Sequence, residues 1–124
     1  EPEVNIHAKD KHEIESTLLT CILQKLDLLK GDKKVMLKLT LPESTDLYRQ
    51  LIDHPRVLMV VALSGGYSME EANERLSEQR GMSASFSRAL VEGLRKDMSE
   101  AEFENQIGST ITKIHAATNL PIDA

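Results

Sequence analysis

A lysine stands in the middle of an otherwise apolar strand pattern, residues 35–42 (VMLKLTLP), and few folds can house one there. β-Branched and apolar residues with no turn former among them, closed by a proline, describe a strand. Alternation puts Val35, Leu37, Leu39 and Leu41 on one face and Met36, Lys38 and Thr40 on the other. The first face is wholly apolar and predicts helices packed against it. On the second, an unpaired ammonium costs several kcal/mol to desolvate. Such a lysine pairs with an anion, loses its proton and becomes a carbonyl nucleophile, or snorkels to water from an edge or strand end. This strand alone leaves all three open.

The flanking chain alternates helix and strand. Residues 1–5 read as the tail of a strand begun further upstream, as in a truncated or processed piece. Asp10 and Glu13 make a capping-box pattern. Behind them Ile14, Leu18, Cys21, Ile22, Leu26 and Leu29 recur at helical spacing until Gly31. Residues 45–54 predict a short helix burying Leu47, Leu51 and Ile52, closed by His54-Pro55. Val57–Leu63 (VLMVVAL) is apolar at every position and predicts a strand covered on both faces. It leaves through Ser64-Gly65-Gly66-Tyr67-Ser68, where Ser68 and Glu71 cap a helix running to about Glu78. Residues 82–87 predict a small strand with Ser83, Ser85 and Ser87 on one face, followed by a helix over 88–96. Ser99 and Glu102 cap a last helix carrying Phe103, Ile107, Ile111 and Ile114, and 119–124 read as a frayed tail.

Helices between consecutive strands imply an α/β fold with parallel strands. An open doubly wound sheet has two aliphatic faces on each strand. The Lys38 strand and the 82–87 strand instead pair one aliphatic face with one small or polar face, as in a barrel with helices outside and chemistry inside. A complete barrel takes roughly 250 residues. At 124 residues the chain supplies about four βα units, a single unit over 1–124 that reads as half a (βα)8 TIM barrel. Barrel function gathers at the C-terminal strand ends, and there stand Glu1, Glu3, Lys38, the Ser64-Gly65-Gly66 bend and Ser87-Arg88.

Composition removes several classes. Hydrophobic residues make up 40% and aromatics 3% with no Trp, so the core is aliphatic. A net charge of −5 with interspersed signs argues against a nucleic-acid surface. The longest uncharged stretch, 57–69, is too short for a bilayer, and no signal peptide precedes it. Cys21 is alone and placed by its pattern on a packed face, which points to a reducing cytoplasm. His7, His12, His54 and His115 have no metal-ligand spacing. The charge runs in 70–80 and 92–104 read as solvated helix faces.

Four segments together carry a family resemblance: Glu1-Pro2-Glu3-Val4, the Lys38 strand, Leu63-Ser64-Gly65-Gly66-Tyr67-Ser68 and Ser85-Phe86-Ser87-Arg88-Ala89-Leu90. In order and spacing they resemble class I fructose-bisphosphate aldolase, its bacterial branch most closely, over residues 1 to about 118. The resemblance implies the C-terminal half of the barrel. It gives Lys38 the Schiff base with the substrate ketone, Glu1 the general acid/base role and Glu3 the part of a second organising carboxylate. Ser64, Gly65, Gly66, Ser87 and Arg88 match the pocket for one phosphate of the ketose. No cofactor and no metal are implied, because the imine itself withdraws electrons. The implied partners are a sugar phosphate, the missing N-terminal half-barrel and further copies in a homo-oligomer, with no nucleic acid and no membrane.

Glycines in the bend let backbone N–H groups approach an anion, and Arg88 at a helix start adds charge-assisted bonds. Against these stand plainer readings: a frayed Glu1, a simple turn at 64–68 and an Arg88 paired with Glu92 at i+4. The chain also departs from the family. It has Phe86-Ser87 where animal-type members have Tyr-Gly, it lacks their C-terminal tyrosine, and the aspartate and further lysines of the family's first half are not in it. Two other functions fit the same residues: a Schiff-base lyase for another sugar phosphate, and a non-catalytic α/β module binding phosphate or a partner.

Overall fold

The computed structural model describes residues 1–118, so the tail expected over 119–124 lies outside it. Helix and strand alternate until two helices close the described residues: α1 (Lys11–Leu26), β1 (Val35–Thr40), α2 (Arg49–Ile52), β2 (Val57–Leu63), α3 (Met69–Ser77), β3 (Ser83–Ala84), α4 (Ser87–Val91) and α5 (Glu100–Ala117). The fold is mixed α/β, built on a parallel three-stranded sheet in the order β1-β2-β3.

The two faces of the sheet differ as the alternation in β1 predicts. Leu39 and Leu41 are fully buried with Val60, Ala62 and Phe86 against Leu26, Leu51, Leu76 and Ala89. Burying each of these leucines, Val60 or Phe86 contributes about 1.5–3 kcal/mol. On the other face Met36 and Met59 are register partners, 58% and 41% exposed. The next row is Lys38, Val61 and Ser83. The expectation that β2 is covered on both faces is therefore corrected. Leu58 is 67% exposed as well, because an irregularity between Val35 and Met36 pairs Val57 and then Met59, leaving Leu58 outside the ladder.

Several boundaries are shorter than the periodicities predict. Residues 1–5 form no strand. The Val4 N–H bonds the Thr40 hydroxyl at 2.8 Å instead of entering a ladder, which lays the segment over the Lys38 face of β1. Asp10 sits at the N-cap of α1 without a side-chain cap bond, and the helix ends at Leu26 before Leu29. Cys21 is exposed, not packed. The helix expected over 45–54 shrinks to α2, because Asp46 takes a left-handed φ of 56°. Arg80 holds Asp46 there, its guanidinium 2.7 Å from the carboxylate and its N–H 3.1 Å from the other oxygen. The strand over 82–87 is reduced to β3, extended by one bond from Ser85 N–H to Ala62 O, and α4 stops well before residue 96. The two caps with Ser at their head form: Ser68 accepts from Glu71 N–H, and Ser99 and Glu102 complete a reciprocal box.

Candidate functional site

The C-terminal ends of the three strands open onto one cleft of about 200 Å³. β1 brings Lys38 to it, and the 1–4 segment, pinned by Val4, brings Glu1 and Glu3. The exit of β2 supplies Ser64 and Gly65, and the start of α4 supplies Ser87 and Arg88. Gly66 faces an adjoining cleft with Tyr67, Ser68 and Arg88. Leu63 and Ser85 line the main cleft too. Sequence reasoning placed Ser85 on the right face without assigning it to the site.

Two ion pairs organise the cleft. Lys38 Nζ lies 3.2 Å from Glu1 Oε1, and Arg88 donates to Glu3 Oε1 at 3.0 Å. Lys38 is 26% exposed, so it does not snorkel free into solvent, and it has the anionic neighbour a mid-strand ammonium needs. Arg88 reaches Glu3, not Glu92. The Glu92 carboxylate instead accepts from the Met69 N–H at 2.6 Å. The expected helix-start contribution at Arg88 is corrected as well. α4 spans only five residues, too few to present an aligned macrodipole, so the positive charge there is the guanidinium itself, paired with Glu3.

Gly65 and Gly66 have φ of 61° and 99°, and the Tyr67 N–H closes the turn onto Ser64 O at 3.0 Å. A Cβ on Gly65 would lie 3.2 Å from Ile6 and 3.3 Å from Leu63. Gly65→Ala is expected to destabilise the protein by about 1–2 kcal/mol through the left-handed backbone alone. Urea titration reads that loss, and an unchanged midpoint would show that the turn relaxes.

Behind the cleft lies a buried charge cluster that the sequence reading missed. Lys11, 3% exposed, donates to Leu41 O at 2.7 Å and to both oxygens of Glu15 at 3.2 Å, and Glu15 is fully buried. Glu15 also accepts the Glu43 N–H at 3.0 Å, and Glu43 lies 3.3 Å from Lys11. Tyr67 donates to Glu43 at 3.3 Å while its ring carries Arg75 at 4.3 Å and Lys11 at 5.9 Å. Burial pushes the Glu15 carboxyl above its ordinary range despite Lys11 and the Glu43 N–H. Burial also acts upward on Glu43, but Lys11, Arg75 and the Tyr67 hydroxyl bring it below its ordinary range. The Tyr67 phenol is pushed up to about 12, by burial first. A signal for this cluster was present: Lys11 and Glu15 extend the stripe of Leu18, Ile22 and Leu26 backwards at spacings of three and four.

Among the described residues no three His, Cys, Asp or Glu side chains gather as a metal-ligand set, and no helix is long and apolar enough to cross a membrane. No known protein-family model matches the chain.

Proposed function

We propose that this chain is the C-terminal half of a (βα)8 barrel of the class I fructose-bisphosphate aldolase kind, with Lys38 as its imine-forming amine. The observation that carries the reading is the convergence of Lys38, Glu1, the Ser64-Gly65 turn and Arg88 on one cleft, from segments as far apart in sequence as Glu1 and Arg88. The sheet supports it. Three parallel strands run in chain order, as consecutive strands of a barrel do. One face of that sheet is left bare around Met36 and Met59. Grooves of about 430 Å³ flank each outer strand, an apolar one at Val35 and Leu37 beside β1 and a mixed one at Ser83 and Ile111 beside β3. Further βα units would fill both.

The chemistry follows from the residues. Glu1, 3.2 Å away, takes a proton from the Lys38 ammonium, the freed amine adds to the ketone of fructose 1,6-bisphosphate, and Glu1 returns that proton to the departing carbinolamine hydroxyl. Loss of water from the carbinolamine leaves an iminium. A base removes the proton of the C4 hydroxyl, the C3–C4 bond breaks, and its electron pair moves into the iminium as an enamine. Glyceraldehyde 3-phosphate leaves. Protonation at carbon and hydrolysis then release dihydroxyacetone phosphate and return the amine. Ser64, the Gly65 N–H, Ser87 and Arg88 would hold one phosphate, with Glu3 keeping Arg88 in place until the anion arrives. A cytoplasmic homo-oligomer completed by an N-terminal half-barrel goes with this reading.

Incubation of the intact protein with dihydroxyacetone phosphate and borohydride, followed by peptide mapping, is the test. An adduct on Lys38 is expected. No adduct, or one on another lysine, would overturn the assignment, and labelling only by a different ketose phosphate would move the substrate.

A further inference from the structure

The chain leaving β1 passes from Leu41 through Pro42 to Glu43 outside any ladder, yet its polar groups are fastened. One ion pair from α1 holds both sides: Lys11 takes the Leu41 carbonyl, and Glu15 takes the Glu43 N–H. Leu41 stands three residues beyond Lys38. A buried ion pair is a poor source of stability, since an apolar pair of similar volume often does as well. Its geometry matters more here, because the fastening continues. Glu43 Oε1 receives the Tyr67 hydroxyl, and Tyr67 is the residue whose N–H closes the Ser64 turn. The Tyr67 ring in turn carries Arg75 at 4.3 Å and Lys11 at 5.9 Å from its centre. Lys38 and the Ser64-Gly65 turn are thus tied to the same buried pair, one through the exit of β1 and the other through Glu43 and Tyr67.

We propose that Lys11 and Glu15, acting through Glu43 and Tyr67, are positioning residues that set the span between the Lys38 amine and the Ser64-Gly65 turn. That span selects a ketone bearing a phosphate one carbon away over the same ketone without it. The inference rests on the Schiff-base reading above and deepens it.

The test compares borohydride trapping of dihydroxyacetone phosphate with trapping of dihydroxyacetone, on the intact protein. Tyr67→Phe keeps the ring beside its cations and removes only the hydroxyl bond to Glu43. The double variant Lys11→Met/Glu15→Leu removes the pair while filling its volume. Misplacement at this distance from the chemistry costs on the order of tenfold or more. The double variant is expected to need that much more dihydroxyacetone phosphate for half-maximal trapping, and Tyr67→Phe severalfold more. The limiting rate, and the trapping of dihydroxyacetone, stay at the wild-type level.

A fall in trapping of both ketones alike would overturn the positioning role, because loss of general structure does not discriminate between them. An unchanged preference in folded variants overturns it as well. If circular dichroism shows that the double variant does not fold, Tyr67→Phe decides alone. A wild-type protein labelled by neither ketone overturns the function proposed above and this inference with it. A labelled wild type whose preference survives both variants overturns this inference only.

Discussion

Under the proposed Schiff-base route, Lys38→Met is expected to lower cleavage of fructose 1,6-bisphosphate by at least about 10⁴-fold, the usual scale for removing a covalent nucleophile. Methionine matches the stem in length and leaves the Met36 and Val61 surroundings undisturbed, so the folded state should persist. Lys38→Arg separates the two ways an ammonium beside Glu1 could act. Arginine keeps the positive charge but cannot form an imine, and it is expected to be as inactive as methionine. Steady-state turnover reads both variants. An arginine variant retaining a substantial part of the activity would show that Lys38 works by charge alone, and the covalent route would fall.

Lys11→Met carries the largest expected stability effect. Breaking a buried pair by removing one partner leaves an uncompensated charge and costs about 3–5 kcal/mol. Here the stranded group is Glu15, fully buried, and Leu41 O loses its donor too. The sign with pH follows from Glu15. Its carboxyl is already raised by burial, so the folded state binds the proton more tightly than the unfolded chain does. Losing Lys11 raises it further. Stability linked to that proton is present at low pH and lost as pH rises through the range between the unfolded and folded values. The deficit of Lys11→Met should therefore be greatest near neutrality and narrow as the solution is acidified toward the ordinary carboxylate range. Adding Glu15→Leu should recover the part owed to the stranded charge at neutral pH, while Leu41 O and the Glu43 N–H stay without their partners. Urea midpoints at several pH values test this, and a deficit that widens on acidification would show that Glu15 is not the stranded charge.

The elements whose cause is local were legible in the residues. Ser68 with Glu71 and Ser99 with Glu102 cap their helices because three-residue spacing alone brings hydroxyl and N–H together. The opposed faces of β1 follow from a two-residue period. The residues grouped in advance as Glu1, Glu3, Lys38, Ser64, Gly65, Ser87 and Arg88 do line one cleft, with Gly66 just beyond it. Elsewhere local pattern misled. Cys21 fits the helical spacing yet faces out, because α1 turns Lys11 and Glu15 inward at its start. The helix expected from residue 45 could not form once Arg80, from a distant turn, held Asp46 in a left-handed conformation.

The chain's own residues determined the helix caps, the glycine bend and which side of β1 is greasy, since each depends on atoms only a few bonds apart. Tertiary structure decided which charges are buried and which carboxylate meets which cation. Glu3 finds Arg88 across 85 residues, and Lys11 finds the Leu41 carbonyl across 30. A charge can be buried only where the fold delivers enough partners to replace its water, and no local spacing states where those partners will come from.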